Sequence, residues 1–154
     1  MEITTEITNL CTTIGVTLED SDVFTHYDFS KRKISIAEYL TQERKLIALS
    51  HELGHAMQSA NEFEKPYKPS YEEKVGFVLA VENDAWDKGE AILSRLYPDL
   101  TPDFWVAFFT YRTESIASHE NAWDVETLYP KYVDFIFTAH RDIKPMCLNT
   151  FQYN

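Results

Sequence analysis

The stretch Arg44-Lys45-Leu46-Ile47-Ala48-Leu49-Ser50-His51-Glu52-Leu53-Gly54-His55-Ala56-Met57 decides how the rest of the chain is read. Apolar residues lead into His51 and out of His55, in the pattern of an amphipathic helix. On a helix, residues four apart lie one turn apart on the same face. His51 and His55 therefore aim two imidazoles at one point. Leu53 is placed to enter the core. Gly54, with no Cβ, lets a neighbouring segment approach closely.

Two neutral imidazoles are good zinc ligands. Glu52 leans toward the same side, where a carboxylate can take a proton from an attacking water. The pattern His51-Glu52-x-x-His55 is the H-E-x-x-H signature of zinc-dependent peptidases. Two histidines do not complete such a site, because a catalytic zinc usually has three protein ligands and a water. The next helix is the natural source of the third. Glu82 sits there between Val81 and Ala85, where an apolar face would otherwise continue. A buried carboxylate is expensive unless it is paired or metal-bound, so the expected set is His51, His55 and Glu82, with Glu90 as second choice. Asp84 and Asp87 are expected to orient a histidine ring from outside the ligand set. Tyr71, Tyr111, His119 and Tyr129 are candidate donors to a developing oxyanion. His26 and His140 read as ordinary surface or core residues.

The chain has 154 residues, 44% of them hydrophobic and 14% aromatic. That suits one domain, residues 1–154, with a real core. The net charge of −11 argues against general nucleic-acid binding, which needs a basic footprint. Lys31-Arg32-Lys33 is read as a solvated turn. The start, Met1 to Glu6, lacks a basic region followed by a long apolar run, so no secretory signal is expected. The apolar runs Val75–Val81 and Phe104–Phe109 are too short to span a bilayer. Cys11 and Cys147 are read as separate thiols of a cytoplasmic protein.

The predicted fold is α+β and mostly helical, zincin-like, with a small antiparallel sheet of about three strands before the motif helix. Ile3, Ile7, Leu10, Cys11 and Ile14 repeat at helical spacing, and Gly15 stops them. Val16–Leu18, the alternating Val23–Phe29 and Ile34–Ala37 are the strand candidates. Thr41 is placed to cap the motif helix, which is expected to fade near Asn61. Ser70-Tyr71-Glu72-Glu73 is a capping box for a long helix that ends before Pro98. Thr101-Pro102-Asp103 opens another, carrying Phe104, Trp105, Phe108 and Phe109 as core. Pro130 is expected to interrupt the chain before a final helix through Tyr132, Phe135, Ile136 and Ala139. The strand Ile34–Ala37 is expected to line the cleft as an edge, to which an extended substrate adds by backbone hydrogen bonds.

The run from Arg44 to Ala56 resembles the zinc helix of the ImmA/IrrE-type metallopeptidases, found on phages, on integrative elements and in bacteria. The preceding order of a helix and short strands is similar too. In that family a glutamate on the following helix completes the site, often in a Glu-x-x-Ala setting, and Glu82-Asn83-Asp84-Ala85 looks like that setting. The resemblance covers roughly residues 3 to 96; the last third carries no matching motif. It implies a gluzincin-like peptidase with Zn2+ on His51, His55 and Glu82 and with Glu52 as general base. The implied substrate is a protein or peptide of the cytoplasm, the host's if the chain is phage-encoded. The competing expectation is a non-catalytic protein of the same fold that sequesters a partner through its metal cleft.

Overall fold

The computed structural model describes residues 4–143. It orders them as α1 (Thr5–Ile14), β1 (Thr17–Ser21), β2 (His26–Asp28), β3 (Lys33–Ala37), α2 (Gln42–Ala56), α3 (Tyr71–Leu96), α4 (Pro102–Ser118) and α5 (Ala122–Asp134). A wider π-type turn, Phe135–Ala139, continues α5. The class is α+β and mostly helical, as expected.

The helix ends follow local chemistry. Gly15 takes a left-handed conformation (φ 74°), and the Val16 amide closes α1 on the Cys11 carbonyl at 2.8 Å; this is a terminus that favours glycine. Thr41 accepts from the Arg44 amide at the start of α2. Ser70 and Glu73 form the reciprocal capping box of α3. Thr101 caps α4, with Pro102 in its first turn. Two boundaries differ from expectation. α2 stops at Ala56, and a single tight turn, Ala60–Glu62, follows with its own Ser59–Glu62 capping box. Pro130 does not interrupt the chain but lies inside α5. It is solvent-exposed, where the carbonyl left unpaired by the missing N–H can turn to water.

The three-stranded sheet is mixed rather than antiparallel, in the order β1-β3-β2. β1 runs parallel to β3, with Leu18 opposite Ile34 and Asp20 opposite Ile36. β2 pairs antiparallel on the other side, with Tyr27 opposite Ile34. The reason lies in β3, where Ile34, Ser35, Ile36 and Ala37 are all buried. A strand covered on both faces belongs in the middle of a sheet. β3 therefore offers no edge, and the edge that borders the cleft is β2. The turn into β3 also departs from the solvated reading. Asp28 Oδ1 accepts from the Ser30 and Lys31 amides, and Arg32 adopts φ 47°. That conformation costs roughly 1–2 kcal/mol, offset by an inward guanidinium. It donates to the Tyr27 hydroxyl at 2.8 Å, the Ala56 carbonyl at 3.2 Å and the Ile14 carbonyl at 2.8 Å.

The spine is the α2–α3 pair. A Cβ on Gly54 would lie 2.0 Å from the Ala85 carbonyl oxygen, and one on Gly89 would lie 2.9 Å from the Ser50 carbonyl oxygen. Glycine at these two crossings lets the backbones touch. Three apolar clusters surround the spine. One joins α1 and the sheet to Leu49, Leu53, Ile92 and Leu96. A second packs Phe77, Val78 and Val81 on Tyr132, Phe135 and Ile136. A third packs Ile47, Trp86 and Leu93 on Phe104 and Phe108. Trp105 is half-buried and Phe109 exposed, so only part of the α4 aromatic set is core. Cys11 is buried and unpaired, and burial pushes its thiol up to about 11. Cys147 lies outside the described residues. No helix among them is long and apolar enough to cross a membrane.

Candidate metal centre

His51 and His55 leave α2 one turn apart and face α3, where Glu82 stands opposite. His51 Nε2 is 3.2 Å from Glu82 Oε2, and His55 Nε2 is 3.4 Å from Glu82 Oε1. One possible ligand atom from each residue lies within 4.8 Å of the others. All three side chains are buried, Glu82 to 1% exposure. The close approach that Gly54 and Gly89 allow is what puts a residue of α3 so near to α2.

Burial favours the uncharged form of each group. It would raise the Glu82 carboxyl, but the two facing imidazoles outweigh it and hold that group well below the usual carboxylate range. Burial would likewise lower His55, yet the Glu82 carboxylate and, further off, Glu52 bring its imidazole up to about 9. The Tyr132 hydroxyl donates to Glu82 Oε1. Burial, and then the charge on Glu82, push that phenol well above its ordinary value, so the proton stays on the oxygen.

Glu82 Oε2 is buried and makes no hydrogen bond, although His51 Nε2 is close. A buried carboxylate oxygen without a proton donor is costly. Two imidazole nitrogens and a carboxylate oxygen are also the donor set that borderline divalent ions take. On both counts the residues present fit a cation.

A cleft of about 290 Å³ opens over this cluster. Glu52, half-buried, stands in its wall. Thr25, His26, Tyr27 and Phe29, in and beside β2, form one side. Tyr111, Ser115 and His119 of the α4 region and Lys131 and Tyr132 of α5 form the other.

A family model described as a putative metallopeptidase family, DUF6782, matches residues 3–122. The chain belongs to this family. No curated protein and no solved structure matches the chain. The metallopeptidase match spans the whole α2–α3 spine and ends at the start of α5, so Tyr132 lies beyond it.

The structure brings His51, Glu52, His55 and Glu82 to one place; Glu90 is not part of that cluster. Asp84 touches no histidine directly. It receives a hydrogen bond at 2.9 Å from Gln58, which in turn meets His55. Asp87 pairs with Arg112 at 2.8 Å instead. Among the four oxyanion candidates, Tyr111 and His119 line the cleft, while Tyr71 and Tyr129 do not. His119 Nε2 lies 3.8 Å from Glu82 Oε1. His26 lines the cleft as well, whereas His140 is buried behind it. Three neighbours escaped the sequence reading: Gln58, Tyr132 and Trp86, whose ring stacks on His51 with centroids 4.1 Å apart. Trp86 and Tyr132 look like plain core residues in the apolar pattern. The available signal was chemical, since a buried tyrosine hydroxyl needs a partner.

Proposed function

We propose that this metallopeptidase-family chain is a zinc-dependent endopeptidase acting on a protein substrate. The observation that carries the reading is the buried His51–His55–Glu82 cluster, with one carboxylate oxygen unsatisfied, beside a free glutamate in an open cleft. His51 Nε2, His55 Nε2 and the Glu82 carboxylate would hold the ion. When bound, a divalent ion supplies Lewis acidity, which lowers the pKa of a water and polarises a carbonyl. Glu52 takes the proton from the attacking water and hands it to the leaving amine. Tyr132 fixes the orientation of the Glu82 carboxylate by donating to Oε1. His119 is the donor best placed to meet charge on the carbonyl oxygen. The free edge of β2, running along the cleft, offers an extended substrate its backbone partners, in place of the central β3.

The test has two parts. Purified wild type should hold about one zinc per chain by elemental analysis, and Glu82→Ala should lose it. Glu52→Gln should keep the metal yet leave intact the partner proteins that wild type cleaves. If Glu52→Gln retains the full biological effect with zinc bound, the protein acts by sequestration and the peptidase reading fails.

A further inference from the structure

Gln58 follows α2 directly, three residues after His55, and is completely buried. Its amide is the only polar side chain that spans from a candidate ligand on α2 to α3 among the described residues. The Nε2 group donates to the Val81 carbonyl at 2.8 Å and to Asp84 Oδ2 at 2.9 Å. Both partners are acceptors, so both amide hydrogens are committed and the orientation of the amide is fixed by its neighbours. The remaining atom, Oε1, faces His55 Nδ1 at 2.9 Å. A carbonyl oxygen only accepts, so His55 Nδ1 must carry a hydrogen. The lone pair of the neutral ring is then on Nε2, the atom that faces Glu82.

The backbone of Gln58 is held as firmly. Its amide closes on the His55 carbonyl at 3.2 Å. Its carbonyl accepts from His140 Nδ1 at 2.9 Å. On the far side, Asp84 is held by Lys88 Nζ at 3.0 Å, and Lys88 also reaches Glu62. Val81, the residue before Glu82, supplies the carbonyl that the amide grips. One side chain therefore ties the His55 ring to the turn of α3 that carries the carboxylate.

We infer that Gln58 is the positioning residue of this centre: it selects the His55 tautomer and sets the distance between His55 and Glu82. The inference rests on the metal-site reading above and goes beyond it, since Gln58 lies outside both the candidate ligand set and the cleft lining. His51 Nδ1 is buried without a hydrogen-bond partner, so tautomer control of this kind is applied to one histidine only. Partners that orient a ligand histidine typically change metal affinity by about 10–100-fold when removed.

The test uses the full chain and zinc alone, with affinity measured by chelator competition. Gln58→Met keeps the volume and removes the acceptor; zinc affinity should fall by about 10–100-fold. Gln58→Glu returns an oxygen to His55 while giving up the amide donors. With the acceptor for His55 restored but the tie to α3 lost, its zinc affinity should lie between those of Gln58→Met and wild type, and its melting temperature should fall below that of wild type. In nitrogen-15 spectra of the zinc-loaded wild type, His55 should show a hydrogen on Nδ1. Equal affinity in Gln58→Met and wild type would overturn the assignment, as would equal losses in the Met and Glu variants or a hydrogen-free Nδ1. A wild type that binds no zinc would instead bring down the metal-site reading itself, and this inference with it.

Discussion

The two imidazoles of α2 are held by different physics. His51 lies against Trp86, nearly parallel at 21°, with no hydrogen bond on Nδ1. His55 meets Tyr132 and Phe135 at steeper angles and is tied through Nδ1 to Gln58. Apolar packing fixes the plane of a ring but says nothing about its protons. A hydrogen bond fixes the tautomer too. The His51 side is thus set by shape, and the His55 side by shape and proton inventory together.

Removing the shape on one side should produce the largest effect. Trp86 is fully buried and packs on both His51 and Phe108. Trp86→Ala should cost about 3–5 kcal/mol in denaturant unfolding and release the His51 ring. Trp86→Phe should keep most of both. Equal metal affinity in the Ala and Phe variants would show that stacking does not position His51.

Gly54 tests what the two sides share. A methyl there meets the Ala85 carbonyl oxygen at 2.0 Å, so α2 and α3 must part. Better helix propensity would return about 1 kcal/mol, but overpacking of backbone on backbone should leave a net loss of roughly 2–3 kcal/mol. Both histidines should then lose Glu82 together. A Gly54→Ala protein of wild-type stability and zinc content would remove the close crossing from the account.

The third effect depends on pH and is confined to the His55 side. His140 stands behind Gln58, facing the Tyr27 hydroxyl and the Arg32 guanidinium. Burial, and to a lesser degree Arg32 and His55, outweigh the Gln58 carbonyl and bring His140 down to about 4. Its folded value is below the unfolded one of about 6.5, so the unfolded chain binds the extra proton. The stability it contributes is complete above pH 6.5 and is lost as pH falls through 4. For metal-free protein the loss should be at most about 3 kcal/mol. His140→Asn keeps a donor for Gln58 without the titration. It should be less stable at pH 7 but flatter between pH 6.5 and 4 in thermal melts. Parallel curves for the two proteins would assign the pH response elsewhere.

The uneven legibility of the molecule follows the same division. The motif helix, its Thr41 cap, the Ser70–Glu73 box and the Gly15 stop are relations between residues a few positions apart. Glu82 was legible for a different reason: a charge in an apolar stripe needs a partner, and the preceding helix offered two histidines. Tyr132 and Glu82 are fifty residues apart, and no local spacing joins them. The same holds for His140 and Gln58. The mixed sheet was missed because alternation in Ile34–Ala37 reports one buried face, while the folded β3 is covered on both. Pro130 was misjudged because a helix tolerates proline where the freed carbonyl faces water, and only packing says which face that is.

By itself, then, the sequence determined the motif helix, its Thr41 start, the glycine that admits α3 and the acid opposite. All of these follow from helical periodicity, capping and the cost of burying charge. Tertiary structure alone decided the strand order, the β2 edge on the cleft, and the convergence of Gln58, Trp86, His119 and Tyr132 around the cluster. Apart from the link between Gln58 and His55, three residues apart, those contacts join distant positions, and they exist only once α2 and α3 have closed on each other and α4 and α5 have packed against them.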